Sequence, residues 1–176
     1  MPKERFANEA PTQIARGLRI MNIAARDFMA TDLVTLLPTD DVLDAVQVLL
    51  HHRISGAPVV DADGRYLGVF TEKCSMHVLL DAAYEQLPVC DVRSFMDTDA
   101  QTICPETQLL SIAQVFLLTP YRRLPVLDQG KLIGMVTRRD VMKRWMELVD
   151  SVSSDTRETT LLYFSALFER EEAPLA

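Results

Sequence analysis

The chain has 176 residues, room for one compact domain or two small ones but not for a large multidomain enzyme. Its 48% hydrophobic and 24% charged residues belong to an ordinary globular protein, which excludes disorder throughout and fibrous repeats. A net charge of -7 argues against a general nucleic-acid binder, because neutralising phosphates takes a basic face.

Cys74, Cys90 and Cys104 are odd in number and lack C-x-x-C spacing, so neither a disulfide framework nor a zinc site is indicated, and a reducing cytoplasm fits best. No stretch reaches the roughly 18 apolar residues of a membrane span. The N-terminus has no uninterrupted apolar signal core. Lys3, Arg5, Arg16, Arg19 and Arg26 give it a faint likeness to an organelle transit peptide, against which Glu4 and Glu9 count.

In chain order, residues 1–24 place Ile14, Leu18 and Met21 at helical spacing, a flanking helix. Within residues 25–88, Val42, Ala45, Val46, Leu49 and Leu50 recur at i, i+3, i+4, i+7 and i+8, one apolar face of a helix. Pro38, Thr39, Asp40 and Asp41 ahead of it suit a helix N-terminus. Apolar runs at 57–60 and 66–70 flank Asp63-Gly64, a hairpin pattern, and a second helix starts near Thr71.

Residues 89–150 repeat this order. A shift of 67 positions lays Phe28 on Phe95, Met29 on Met96, Pro38 on Pro105, Gln47 on Gln114, Pro58 on Pro125 and Asp61 on Asp128. After a one-residue deletion, Gly64 meets Gly130, Gly68 meets Gly134 and Thr71 meets Thr137. The first helix face maps onto Leu109, Ile112, Ala113, Phe116 and Leu117, preceded by Glu106 and Thr107. The last helix, from near Thr137, is predicted to bury Val141, Trp145, Leu148 and Val149. Residues 151–176 open as a polar linker and end in an amphipathic helix with Leu161, Phe164 and Phe168, suited to covering the module, dimerising or recognising a partner. One unit of about 60 residues is marginal alone, so the two copies should pack together.

The unit order, the run His52-Arg53-Ile54-Ser55-Gly56-Ala57-Pro58-Val59-Val60-Asp61 and the run Gly134-Met135-Val136-Thr137-Arg138-Arg139-Asp140 resemble a tandem cystathionine-β-synthase (CBS) domain pair, or Bateman module, over roughly residues 25–150. The resemblance implies an α+β fold of two tandem β-α-β-β-α repeats packed about a pseudo-two-fold axis, here with flanking N- and C-terminal helices, in a stand-alone CBS-domain protein. It also implies two clefts for adenosine-containing ligands such as AMP, ADP, ATP or S-adenosylmethionine, and a homodimer. The role implied is a regulatory sensor of a protein partner, not an enzyme.

Thr137 and Asp140 straddle a strand-to-helix junction, where free N–H groups favour a phosphate and a carboxylate can accept both hydroxyls of a ribose. The same T-x-x-D spacing is also that of a capping box. Arg122 and Arg123, with Arg138 and Arg139, form two basic pairs that could clamp phosphates or simply face solvent. The resemblance favours Arg123 and Arg138. It further implies crossed clefts, with the adenine against Met29, Leu33, Val34, Ile54 and Ser55 of the first repeat. Leu33, Val34 and Ile54 serve equally well as core.

In the other cleft Cys74 stands where the ribose carboxylate belongs, Glu72 replaces the position of Arg138, and Ser55 and Gly56 replace Arg122 and Arg123. One competent site per chain is therefore expected, and one that is degenerate or takes an uncharged ligand. His51-His52 is a weak metal pair, since helix neighbours point apart. Cys104 is read as core. No paired nucleophile and base, Gly-rich phosphate loop or H-E-x-x-H is present, so neither metal nor active site is expected. The competing reading is a ligand-free dimerisation or scaffold module.

Overall fold

The computed structural model describes residues 22–84 and 90–150. The flanking helix expected over residues 1–24 lies outside them up to residue 21, as do the linker and helix expected over 151–176.

The first repeat builds α1 (Val42–His52), β1 (Gly56–Val60), β2 (Tyr66–Thr71) and α2 (Glu72–Tyr84). Asp41 starts α1 by accepting hydrogen bonds from the Leu43 and Asp44 backbone N–H groups at 2.8 and 3.3 Å. Arg53 ends it in the left-handed region. The second repeat builds α3 (Leu109–Leu118), β3 (Arg123–Asp128), β4 (Lys131–Thr137) and α4 (Arg138–Asp150). Both hairpins are antiparallel and in matching register, Ala57 opposite Phe70 and Leu124 opposite Val136, with an irregularity after Val59 and at the equivalent Val126.

The leading strand of each unit is reduced to one parallel bridge, Leu36 to Val59 and Ile103 to Val126. Pro38 and Pro105 follow two residues later, and a proline has no N–H with which to continue a ladder.

The two packing units exchange their leading segments. Ala25, Phe28 and Met29 open the first repeat yet join the core of Ile112, Phe116, Leu124, Val126 and Val136. Val92, Phe95 and Met96 open the second repeat yet join Leu36, Val42, Ala45, Leu49, Val59 and Phe70. Backbone pairs anchor both exchanges, with Ala30 and Met135 trading N–H···O bonds of 2.9 Å and Val69 and Asp97 doing the same at 2.9 Å. Two glycines make room for them: a Cβ on Gly134 would strike the Met29 sulfur, and one on Gly68 would lie 2.7 Å from the Asp97 carbonyl. The hairpin tips also meet, Tyr66 N–H donating to Gly130 O and Leu132 N–H to Gly64 O, each at 3.1 Å.

The last helix departs from its predicted face. No residue of α4 is buried, and Trp145 is 40% exposed, although Val141 rests partly on the second core. Met76, Leu79 and Leu80 of α2 and Met142 and Met146 of α4 are likewise exposed. Within the described residues α2 reaches the first core through Cys74 and Val78, whereas the apolar stripe of α4 meets only the rim of the second. Cys104 also departs from the core reading. It is exposed, with Sγ 3.2 Å from Thr107 Oγ1, because the chain there leaves the strand for the turn before α3. Among the described residues, no helix is long and apolar enough to cross a membrane.

Candidate functional site

At the β4–α4 junction, Thr137 and Asp140 form a closed cap. Asp140 Oδ2 accepts from the Thr137 N–H at 2.9 Å and from its hydroxyl at 2.6 Å, and the Asp140 N–H donates to Thr137 Oγ1 at 3.3 Å. The capping chemistry read from the spacing is therefore present. It occupies only one carboxylate oxygen. Asp140 remains half-buried at the mouth of the junction, and Oδ1 has no hydrogen-bond partner among the described residues.

The β2–α2 junction repeats this cap with a thiol. The Cys74 N–H donates to Thr71 Oγ1 at 3.2 Å, and Sγ lies 3.1 Å from that hydroxyl and 3.9 Å from the Val69 carbonyl. Cys74 is buried, whereas Asp140 keeps access to solvent. A buried thiol offers no anionic oxygen to a diol.

The leading segment of the first repeat runs beside the Asp140 junction. Met29 packs on Gly134 and the second core, Ala30 pairs with Met135, and Leu33 and Val34 follow, both half-buried. Met29, Leu33 and Val34 thus come to the second repeat's edge because the leading segments are exchanged. Ile54 instead packs on the first core.

The arginines separate. Arg138 turns back onto its own repeat, donating from Nε to Tyr121 O and from Nη2 to Thr119 O, each at 3.1 Å, with its guanidinium 5.9 Å from the Phe116 ring centre. Arg122 and Arg139 are exposed. Arg123 sits opposite Thr137 in the β3–β4 ladder, but its side chain crosses to the first repeat, where Nη2 donates to Ser55 Oγ. Its Nη1 lies over Gly56, where a Cβ would collide with it. Burial lowers the Arg123 pKa; Glu72 opposes that shift, Arg122 adds to it and Cys74 opposes it.

The structure therefore gathers Thr137, Asp140, Met29, Leu33 and Val34 about one junction, and Arg123 and Ser55 at the seam beside the other. Sequence reasoning missed Gly56 as the floor beneath Arg123. The only signal was that Gly56 falls on Arg123 at the repeat shift.

Other candidates remain apart. The His51 and His52 rings meet edge to face with centres 5.1 Å apart, exposed at the end of α1. No group of three or more metal-ligating side chains gathers among the described residues. On β2, burial raises the Tyr66 phenol above its ordinary pKa, and the charge of Asp97 adds to the shift.

The CBS domain family model matches residues 25–73 and 92–147. The chain is 30% identical over 143 residues to a CBS domain-containing protein of Dictyostelium discoideum, covering 75% of this chain and 97% of that one. It is 28% identical over 126 residues to protein MJ1225 of Methanocaldococcus jannaschii, and 29% over 143 residues to the chloroplastic CBSX1 of Arabidopsis thaliana. Those matches cover 72% and 66% of this chain but only 44% and 61% of the relatives' own lengths. Among solved structures, the Arabidopsis CBS-pair protein CBSX2 superposes with a TM-score of 0.62 at 27% identity, covering 72% of this chain and 96% of that one. CBSX2 in complex with AMP gives 0.64 at 28%, covering 71% and 97%. With two matched segments, a relative aligned over nearly its whole length and two repeats of one fold, this chain belongs to the CBS-domain family as a tandem CBS pair.

Proposed function

We propose that this chain is a regulatory sensor that binds an adenosine-containing ligand (AMP, ADP, ATP or S-adenosylmethionine) in the cleft at Asp140. Occupancy is then passed to a partner protein. The observation that carries the reading is the uncommitted Oδ1 of Asp140 at a helix N-terminus, in a chain 28% identical to a CBS pair crystallised with AMP. Oδ1 would accept a ribose hydroxyl, Thr137 and the first turn of α4 would face phosphate, and Met29, Leu33 and Val34 would lie against the base. Ligand held between an exchanged segment and its host repeat favours one arrangement of the two, and a partner sensitive to that arrangement is regulated by differential affinity.

The reading extends to a homodimer in the cytoplasm without catalytic activity. Exposed Met76, Leu79 and Leu80 on α2 and Met142, Trp145 and Met146 on α4 support an apolar contact between copies, and three free cysteines support a reducing compartment.

A second reading, a ligand-free scaffold, is favoured by one observation: Thr137 and Asp140 already satisfy each other, and Arg138 is spent on backbone carbonyls. A thermal-shift panel of AMP, ADP, ATP, S-adenosylmethionine and NAD on wild type and Asp140→Ala separates the two. Ligand at 100 times its dissociation constant adds about 2.7 kcal/mol, roughly 5 to 10 °C for a chain of this size. A shift lost in the variant, each judged from its own baseline, supports the sensor. No shift with any ligand leaves the scaffold.

A further inference from the structure

Three positions seat the helix that closes each repeat, and the two repeats fill them differently. In α2 they are Cys74, Ser75 and Val78, all buried. A shift of 66 puts Asp140, Val141 and Arg144 at the same places on α4, and none of these is buried. Val78 belongs to the first core, whereas its equivalent in the second repeat is a guanidinium.

Arg144 does little to seat the helix. Among the described residues its one hydrogen bond runs from Nη1 to Glu147 Oε2 at 2.9 Å, further along the same helix, and its Nε is buried without a partner. An orphaned buried donor costs stability, and the apolar burial that holds α2 is missing. Only the start of α4 is tied down, by the Thr137–Asp140 cap and by Arg138 on the Thr119 and Tyr121 carbonyls. The helix is therefore anchored at the turn that carries Asp140 and weakly seated beyond it.

We propose that α4 is the moving part of the module: it opens from the second core about the Asp140 turn, Arg144 sets how readily, and a ligand at Asp140 holds it shut while α2 stays seated. This rests on the adenosyl reading above. A ligand that bonds Oδ1 and lies against Leu33 and Val34 spans α4 and the leading segment. It binds the seated helix better than the open one and so shifts the balance between them. Met142, Trp145 and Met146 move with the helix, which turns occupancy into a change on its outer face. Arg144 is a positioning residue that acts through the helix bearing Asp140.

The test is amide hydrogen exchange on the full chain, as wild type, Arg144→Val and Arg144→Met, with and without AMP, whose binding is measured by calorimetry. A 13-residue helix stripped of its core contacts is marginal in water, so an open α4 exchanges its amides. In ligand-free wild type, residues 142–150 should exchange roughly ten-fold faster than 76–84, the worth of one orphaned buried group. Both variants should slow α4 by a similar factor and leave α2 and the hairpins as they were. AMP at 100 times its dissociation constant should slow α4 in wild type by up to about 100-fold, and α2 far less. Met76, Leu79 and Leu80 are the equivalents of Met142, Trp145 and Met146, so contact between copies would protect both helices alike and does not imitate this difference.

An α4 that exchanges no faster than α2, variants that slow the whole chain equally, or AMP that binds and leaves α4 exchange unchanged each overturns the moving helix and leaves the adenosyl reading standing. No binding by AMP, ADP, ATP or S-adenosylmethionine overturns the adenosyl reading and the ligand's hold on α4 together. A fast α4 that slows in both variants would then still uphold the role of Arg144.

Discussion

Gly56 and Arg123, residues 67 positions apart and equivalent under the repeat, lie in contact across the seam: the guanidinium of one occupies the space a side chain on the other would fill. At a pseudo-two-fold axis equivalent residues face each other, and two arginines could not both lie there. The pair is resolved by giving one position a long cation and the other no side chain.

Gly56→Ala should therefore destabilise the protein by about 1 to 3 kcal/mol, as overpacking does. The new Cβ meets Arg123 and also lies 2.8 Å from the Phe70 carbonyl. Urea denaturation of Gly56→Ala, Arg123→Ala and the double variant should show a coupling that recovers part of the loss. Strict additivity would mean the two residues do not meet.

Cys74→Asp recreates in the first repeat the cap that Asp140 makes in the second. On the adenosyl reading, adenosine should go from one site per chain to two in calorimetry. A carboxylate at so buried a position is poorly solvated, so the new site should be the weaker one. Stoichiometry unchanged at one, in a variant that melts cooperatively, would mean the cap is not what the ligand reads.

The buried Tyr66 hydroxyl has no hydrogen-bond partner among the described residues. Tyr66→Phe removes an unsatisfied group and should be neutral or stabilising by up to about 1 kcal/mol. The folded protein raises the phenol pKa above its ordinary value of 10.0, so the folded state holds the proton more tightly than the unfolded chain. Stability is accordingly full below about pH 10 and falls as pH rises beyond it. Thermal melts across that range should show a fall in wild type that is smaller in Tyr66→Phe. Identical pH dependence would assign the fall to other groups.

Gly134→Val should push Met29 off the second core and cost about 1 to 3 kcal/mol by overpacking, because the sulfur already lies against Gly134. Adding Met29→Ala should restore part of that loss in denaturant titrations. If the double variant is no better than Gly134→Val alone, the leading segment does not rest where the exchange puts it.

Local chemistry decided much of this protein from sequence alone. The apolar period of Val42, Ala45 and Leu49 and of Leu109, Ile112 and Phe116 placed two helices, since their side chains must share one face to be buried. Apolar runs on either side of Asp63-Gly64 and of Gln129-Gly130 placed two hairpins, and T-x-x-D placed a cap that the Thr137 and Asp140 side chains close. Each depends on residues within a turn or two of one another.

Tertiary structure decided what sequence spacing does not encode. Nothing near Met29 says that it packs in the second core, or near Val92 that it packs in the first; that follows from two incomplete units each filling the other's edge. Arg123 and Arg138 look alike in sequence, yet one crosses the seam to Ser55 and the other folds back on Thr119 and Tyr121, although both leave the same end of one ladder, because one lies in the strand β3 and the other opens the helix α4. Trp145 carries the period of a buried residue and stays 40% exposed, since a helical stripe says only that a face is apolar and not what covers it.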